Sequence, residues 1–321
     1  MNKLERLYYA AKYWGIKYCF YYIYDRLFHV GKADKFMYDY NARISPNQYE
    51  NQLKKIYHMK TGKKLNIKNP HSFNEKIQWL KLHDSTTLKT KLTDKYLVRE
   101  WVQEKIGQKY LIPLIGVFDS LDEIDINKLP EKFVMKTNHG SGCNVIVKNK
   151  IEINWSEVEK NFNKWMSMNF AWMQGLELQY KDIKPIILVE HYIENNGNNL
   201  FDYKFYCFNG KAKYIHVVGE RNIKEHYAQE VFYSVEWERQ DFVSSFFPQY
   251  TSEVTQPKNL KEMIKIAEKL AEDFIYVRVD LYELDDGTIK FGEMTFTPNS
   301  GFYNWKPERI NYILGDMIKI P

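Results

Sequence analysis

Residues 278–301 read RVDLYELDDGTIKFGEMTFTPNSG and decide the fold prediction. Apolar and polar side chains alternate on both sides of Asp286-Gly287, which is the period of a β-strand. The Asp-Gly pair is a strong signal for a two-residue hairpin turn, in which both central positions need positive φ. The stretch therefore predicts two antiparallel strands joined at residues 286 and 287.

This register places charged side chains opposite one another. Counting outward from the turn, Asp280 lies opposite Glu293, and Arg278 lies opposite Thr295 on the same face. Like charges in directly opposed positions destabilise a sheet. One interpretation is that a hard cation, Mg²⁺ or Mn²⁺, lies between the two carboxylates. The other is a solvated acidic pair on an open sheet face, with Arg278 as its counter-ion. The hairpin alone leaves both open.

Length and composition narrow the class of protein. A chain of 321 residues is too long for one small core and suits two or three subdomains. Its net charge is only +5, which does not indicate a nucleic-acid-binding protein. The three cysteines are far apart, so we expect neither a disulfide framework nor a zinc site, and we expect a reducing compartment. No apolar run is long enough to span a membrane, and we expect no signal peptide.

Residues 1–30 predict an amphipathic helix or helix pair with basic side chains along it. The apolar side chains that share a face are Leu4, Leu7, Ala11, Trp14 and Tyr18. One interpretation is a peripheral segment on an anionic membrane surface. The other, which we favour because most amphipathic helices face a protein core, is a helix packed on the main body.

A second informative stretch runs from Phe133 to Val147. A predicted strand carrying Lys136 enters the loop His139-Gly-Ser-Gly142, and a second strand follows. Glycines let backbone N–H groups approach a phosphate, and a lysine on the preceding strand can supply a cation. The loop lacks the order of a P-loop. Taken alone, it fits an ordinary glycine hairpin better.

The remaining elements are predicted from periodicity and turn residues. A capping box, Ser72 with Glu75, starts one helix. Further helices are expected over residues 40–62, 92–106, 155–178 and 257–274, the second of them carrying Lys95. Strands are expected over residues 111–118 and 185–193, and a hairpin over residues 201–218 with its turn at Asn209-Gly210.

Taken in order, these motifs resemble the ATP-grasp fold, and more closely the TupA-like ATP-grasp proteins of bacterial surface-polymer gene clusters. The resemblance covers roughly residues 70–315. The matching stretches begin at residues 73, 94, 129, 202, 277 and 291 and read FNEKIQW, DKY, LPEKFVMKTNHGSG, DYKFYCFNGK, VRVDLY and FGEMTFTPNSG.

The resemblance implies an α+β protein in which two α+β subdomains clamp ATP, preceded by a helical N-terminal region. The boundaries we expect are a helical region at 1–68, a lead-in at 69–125, a small subdomain with the glycine loop at 126–193, and a large subdomain with the metal-binding hairpin at 194–321.

The resemblance also implies roles for particular residues. Those expected to bind the nucleotide are Lys95, Lys136, the lid residues His139, Gly140, Ser141 and Gly142, the hinge residues Glu190, Tyr192 and Ile193, and Lys204. Those expected to hold Mg²⁺ are Asp280, Glu293 and Thr295. Those expected to act on the transferred group or the acceptor are Arg278, Lys204 and Arg221, with Tyr180 beside the acceptor. Members of the fold commonly carry Glu-x-Asn where this chain has Glu293-Met-Thr295, which weakens the assignment of Thr295.

The implied activity is ATP-dependent ligation of a carboxylate to an amine through an acyl phosphate. The substrates expected are an amino acid and a uronic acid, or a peptide, of a bacterial capsular or surface polysaccharide. The expected location is the cytoplasm or the inner face of its membrane. Two alternatives are a sugar-transferring enzyme of the same pathway and a non-catalytic scaffold attached to the membrane through residues 1–30.

Overall fold

A computed structural model describes residues 1–173, 175–195, 200–222 and 227–321, without the side chains of residues 221 and 222. Two antiparallel sheets and nine α-helices make up this described part of the chain. The α+β class predicted from the sequence is therefore confirmed. Within the described residues, no helix combines the length and the apolar character needed to cross a bilayer.

Three helices form the N-terminal region: α1 (Lys3–Phe28), α2 (Lys32–Arg43) and α3 (Tyr49–Thr61). They share a core that includes Trp14 and Leu53. Helix α1 has the predicted extent, with a kink at Gly15 (φ 85°). The single helix predicted over residues 40–62 is wrong, because an extended segment separates α2 from α3.

Helices α4 (Phe73–His83), α5 (Thr87–Thr93) and α6 (Val98–Lys105) link this region to the sheets. The capping box at the start of α4 is present as predicted. The helix predicted over residues 92–106 is wrong. Asp94 interrupts it by accepting hydrogen bonds from the backbone N–H groups of Tyr96 and Leu97. Lys95 therefore lies in a turn between two helices.

The first sheet contains β1 (Leu114–Phe118), β2 (Phe133–Thr137), β3 (Asn144–Val147) and β4 (Ile187–His191), in the order β1-β4-β2-β3. Helix α7 (Trp155–Met166) buries Phe162 against one face, and it ends well before residue 178. Side chains alternate between the faces of a strand. Lys136 and Glu190 therefore lie on the face away from α7.

The second sheet contains β5 (Asp202–Phe208), β6 (Lys211–Asn222), β7 (Tyr227–Ser234), β8 (Tyr276–Glu283) and β9 (Ile289–Thr295), in the order β7-β6-β5-β8-β9. The turn at Asn209-Gly210 has the predicted positive φ at both positions. Helix α8 (Leu260–Ala271) buries its apolar stripe on one face. Helix α4 and α9 (Arg309–Met317) cover one end of the other face, and the remaining end carries charged side chains.

The turn between β8 and β9 differs from the prediction. Only Gly287 has a positive φ, and the N–H of Leu284 donates to the carbonyl of Thr288. The loop is therefore one residue longer than the two-residue turn, and the first pairs of the hairpin are shifted by one position.

A β-bulge restores the predicted register at the charged positions. The pairing changes between Asp280 and Leu281, which leaves Gly292 as the extra residue of β9. A Cβ at this glycine would lie 3.1 Å from the carbonyl oxygen of Asp280. Beyond the bulge, Asp280 lies opposite Glu293, as predicted. The bulge also turns Glu293 to the face opposite that of the buried Phe291, so the unbroken alternation we expected along β9 is wrong.

Candidate functional site

The uncovered end of the second sheet carries a connected ion cluster. Arg278 donates from Nε to Asp280 Oδ1 and from Nη2 to Asp280 Oδ2, both at 2.7 Å. Its Nη2 also lies 2.9 Å from Glu293 Oε1. Lys204 Nζ lies 2.5 Å from Oδ2 of Asp280 and 2.5 Å from Oδ2 of Asp202. Antiparallel pairing of β5, β8 and β9 places these five side chains together.

The charges in this cluster do not cancel. Three carboxylates face two cations, so the ionised cluster carries one excess negative charge. Burial works to lower the pKa of Arg278, but the Asp280 carboxylate and Glu293 raise it well above its ordinary range. Asp280 is buried, whereas the Glu293 side chain is 35% exposed. The cluster is therefore open to a ligand on the Glu293 side.

The donor set fits a magnesium ion that is shared with an anionic ligand. Thr295 Oγ1 donates to Glu293 Oε1 at 3.0 Å and accepts from Arg278 Nη2 at 3.1 Å. Carboxylate and hydroxyl oxygens are hard donors, and Mg²⁺ is usually held by one or two carboxylates together with substrate phosphates and water. Among the described residues, no three His, Cys, Asp or Glu side chains form an all-protein metal site.

A second pair of opposite charges lies on the first sheet. Lys136 Nζ is 2.6 Å from Glu190 Oε2. Arg99 Nη1 is 3.3 Å from Glu190 Oε1, and Arg99 Nη2 donates to the carbonyl of Ile112 at 2.9 Å. The buried Glu190 thus fixes the position of Lys136. Arg99 was not predicted, because nothing in the sequence distinguishes it from the other charged residues of α6.

The glycine loop lies against Lys95. Lys95 Nζ donates to the carbonyl of Gly140, and its backbone N–H donates to the carbonyl of Asn138 at 2.9 Å. Burial lowers the pKa of Lys95, the Glu293 carboxylate opposes that shift, and Lys136 adds to it. Lys95 therefore lies within electrostatic range of the charged groups of both sheets.

The loop itself has the backbone that its glycines predict. Gly140 and Gly142 have φ of 86° and 75°, and Ser141 is exposed. The ring of His139 is buried, with Nε2 3.0 Å from the carbonyl oxygen of Met168. Burial lowers the pKa of this histidine. His139 therefore anchors the loop to the end of α7, and the contact of the loop with a nucleotide stays a prediction.

The other predicted residues are placed as follows. Tyr192 and Ile193 are half-buried and directly follow β4. Tyr180 packs its ring 4.9 Å from that of Phe170. Burial raises the pKa of Tyr180, and the carboxylates of Glu177 and Glu293 raise it further. Arg221 belongs to β6, but its side chain lies outside the described residues.

A buried lysine on α4 was not predicted. Lys81 Nζ donates to the carbonyl of Gly175 at 2.8 Å, to the carbonyl and hydroxyl of Ser300 at 2.7 and 2.8 Å, and to Gln78 at 3.0 Å. Burial lowers its pKa to about 7, and Glu177 opposes that shift. Ser300 has φ 52°, a conformation that costs on the order of 1 kcal/mol or more. Lys81 therefore holds the loop after β9 in a strained conformation.

Replacing this lysine with methionine is expected to destabilise the protein. Lys81→Met would leave several buried acceptors unpaired, each at about 1–3 kcal/mol, so we expect a loss of about 3 kcal/mol in the free energy of unfolding. Lys76→Met is the matched control on α4, because Lys76 is more exposed and, among the described residues, donates to just two acceptors, the carbonyls of Gly315 and Ile318. Urea denaturation measures both, and equal losses would contradict the role given to Lys81.

Comparison with known proteins identifies the family. The sequence model of the TupA-like ATPgrasp family matches residues 75–319, which is more than half of the chain. This match defines an ATP-grasp protein. The chain belongs to the TupA-like ATP-grasp family, and the predicted ATP-grasp fold is confirmed. The match begins in α4, so the three N-terminal helices lie outside it.

Solved structures with a similar fold include three enzymes. An L-amino acid ligase from Bacillus licheniformis is 16% identical, with a TM-score of 0.42, over 67% of this chain and 45% of its own. A D-alanine–D-alanine ligase from Bacillus anthracis, complexed with ATP, is 18% identical, with a TM-score of 0.41, over 71% of this chain and 64% of its own. An N5-carboxyaminoimidazole ribonucleotide synthetase, as an ADP complex, is 13% identical, with a TM-score of 0.40, over 77% of this chain and 57% of its own.

The chain thus aligns with less than two thirds of the length of each of these structures. No curated protein matches the sequence.

Proposed function

We propose that the protein is an ATP-dependent ligase that joins a carboxylate to an amine. The observation that carries the proposal is the ion cluster of Lys204, Arg278, Asp280 and Glu293, with Lys95 in electrostatic range, within a chain of the ATP-grasp family. Lys136 and the glycine loop add cationic and backbone donors on the first sheet. This combination of cationic side chains and backbone donors is suited to binding a polyphosphate.

The reaction proceeds in two steps. A carboxylate oxygen attacks the γ-phosphorus of ATP, the bond to the β-phosphate oxygen breaks, and an acyl phosphate and ADP form. An amine then attacks the acyl carbon, inorganic phosphate leaves, and an amide forms with loss of a proton from nitrogen. Phosphoryl transfer of this kind depends mainly on positioning and on neutralising oxygen charge.

Different side chains of this protein would position the reacting groups and neutralise the phosphate charge. Lys95 and Lys136 would bind the phosphates, and Arg278 would orient the transferred phosphoryl group and stabilise its charge. Asp280 and Glu293, with Thr295 beside them, would hold Mg²⁺, which supplies further charge neutralisation when it is bound. Glu190, Tyr192 and Ile193 would line the adenine side. Lys204 would lie next to the nucleotide or the acceptor, and Arg221 and Tyr180 would lie beside the acceptor.

We further propose that one substrate is an amino acid and that the other is a uronic acid, or a peptide, of a bacterial capsular or surface polysaccharide. Support for this narrower statement is the resemblance of the sequence motifs to the TupA-like proteins of surface-polymer gene clusters. The use of ATP favours the cytoplasm as the location. A sugar-transferring enzyme has no observation in its favour in this site.

Nucleotide binding is the first test of the proposal. A non-hydrolysable ATP analogue is expected to bind in the presence of Mg²⁺ and to bind more weakly without it. Lys136→Ala is expected to raise the dissociation constant about tenfold or more, because a charge-assisted contact to phosphate is lost. Isothermal titration calorimetry measures both effects.

Lys184→Ala serves as the control variant, because this exposed lysine on the same subdomain forms a surface ion pair with the exposed Asp119 at 2.9 Å. Its dissociation constant should equal that of the wild type. A wild-type protein that fails to bind the analogue with Mg²⁺ would refute the ligase proposal. Binding would justify a screen of amino acids with uronic acids for ADP release.

A further inference from the structure

Helix α1 has a second apolar face that the protein body does not cover. The first face packs into the core through Ala10, Trp14 and Tyr18. Exposed large apolar side chains recur every three or four residues within each half of the helix, before and after the kink at Gly15. They are Leu4, Tyr8, Ile16, Phe20, Ile23 and Leu27, and we name them the outer stripe. Ile16 is 82% exposed.

The kink at Gly15 divides α1, and its two halves do not run in one line, because the carbonyl oxygen of Leu7 lies 3.8 Å from Cys19 Sγ. Residues three or four apart lie on the same side of a helix, so Ile16, Phe20, Ile23 and Leu27 share one side of the second half. At the rise of an α-helix, this part of the outer stripe is about 17 Å long. Isolated exposed apolar residues are common, but a contiguous apolar patch of this kind marks an interaction surface.

The first two helices carry a net positive charge. Residues 1–43 contain eight Lys and Arg against four Asp and Glu, a net charge of +4, whereas the whole chain carries +5. Two of the four acids are engaged by backbone N–H groups. Glu5 accepts from Asn2 at 2.8 Å, and Asp25 accepts from Lys32 at 2.9 Å. The partner that complements this surface is therefore both apolar and anionic.

Two lysines lie over aromatic rings of α1. Lys32 Nζ lies 4.1 Å from the centre of the Tyr24 ring, and Lys12 Nζ lies 5.7 Å from that of Tyr8. A lysine stem can lie along apolar surface while its ammonium group reaches the headgroups. Lys12, which lies next to Tyr8 before the kink, is placed to do this.

We propose that α1 docks on an anionic lipid surface. The half of α1 after Gly15 lies in the plane of the interface, with Ile16, Phe20, Ile23 and Leu27 at the boundary of headgroups and acyl chains and the basic side chains at the headgroups. The family match begins at residue 75, so this surface belongs to helices that lie outside the matched region. Docking is therefore separate from nucleotide binding and goes beyond the proposed ligation.

Vesicle binding tests this docking with the full chain. The protein should sediment with phosphatidylcholine vesicles that contain phosphatidylglycerol, much less with pure phosphatidylcholine, and less as salt is raised. Ile16→Glu with Phe20→Glu should lower the partition coefficient about tenfold or more, because carboxylates would enter the apolar layer. Lys12→Gln with Lys17→Gln should lower it about thirtyfold on anionic vesicles.

The control is Ile151→Glu, because Ile151 is 91% exposed and lies in a short turn before α7, far along the chain from α1. This variant should partition like the wild type, and all variants should show the same thermal unfolding by circular dichroism. Wild-type protein that binds neither vesicle, or binds both equally, would overturn the proposal. The proposal would also be overturned if light scattering showed a dimer that the Ile16→Glu/Phe20→Glu variant dissociates and the protein bound no vesicles. The outer stripe would then pair with a second copy of the chain.

Discussion

Glu293→Gln is expected to lower the rate of Mg·ATP turnover by a factor on the order of 100 to 1000, the range found when one preorganised electrostatic contact is removed from a reaction site. The change removes the more exposed of the two opposed carboxylates and preserves its shape. The folded state should lose little stability, because Arg278 keeps both of its bonds to Asp280. ADP release, measured over a range of Mg²⁺ concentrations, should show a higher requirement for the metal.

The matched control is Asp286→Asn, which makes the same carboxylate-to-amide change on the same hairpin. Asp286 lies at the turn, and the oxygen that accepts from Thr288 N at 2.8 Å is retained in asparagine. Its turnover should equal that of the wild type. Glu293→Gln with full turnover and an unchanged Mg²⁺ requirement would show that the opposed carboxylates are not the metal site.

The alignment of Asp280 with Glu293 could be predicted from the sequence, although one step of the reasoning was wrong. Alternating side chains and Asp286-Gly287 gave the hairpin. The longer loop shifts the pairing by one residue, and the bulge at Gly292 shifts it back. The two deviations cancel at the charged positions. Either one alone would have turned Glu293 away from Asp280, because a shift of one residue reverses the face of every side chain.

Residues whose importance depends on tertiary contacts could not be predicted. Arg99 and Lys81 lie on amphipathic helices, where a basic residue is usually solvated. Only the folded chain brings the first to Glu190 and the second to Ser300. The turn at Asp94 was missed for a similar reason, since its carboxylate forms local bonds that compete with the helix and also accepts from Asn138 at 2.7 Å.

The N-terminal helix is a different case, because its sequence pattern was consistent with two interpretations, a packed helix and a membrane-surface segment. The face expected from periodicity is correct for Trp14 and Tyr18, which are buried, but Leu4 is 78% exposed and belongs to the outer stripe. The kink at Gly15 rotates the second half of the helix relative to the first, so a single helical wheel cannot place the side chains of both halves. One buried and one exposed apolar face are compatible with both a packed helix and a surface segment, and the surface segment stays a proposal.

Arg278→Ala is expected to reduce both stability and turnover strongly. The guanidinium group bridges Asp280 and Glu293, and its side chain is only 11% exposed. Without it, two facing carboxylates lose their shared cation, and Lys204 alone remains to balance Asp202 and Asp280. Removing one partner of a buried ion pair costs about 3–5 kcal/mol, and we expect a loss of that size in urea denaturation. Turnover should fall at least as far as in Glu293→Gln.

Arg278→Lys separates a structural role of this residue from a role in the reaction. A lysine restores the positive charge, and so most of the stability, but it lacks the planar fork that contacts Asp280 at two atoms and Glu293 at a third. If Arg278 also orients the phosphoryl group, Arg278→Lys should unfold near the wild-type urea concentration yet stay about 100-fold slower. Equal recovery of stability and turnover would make Arg278 a purely structural residue. Mg²⁺ should raise the melting temperature of Arg278→Ala more than that of the wild type, because removing the arginine leaves the carboxylates free to bind the metal.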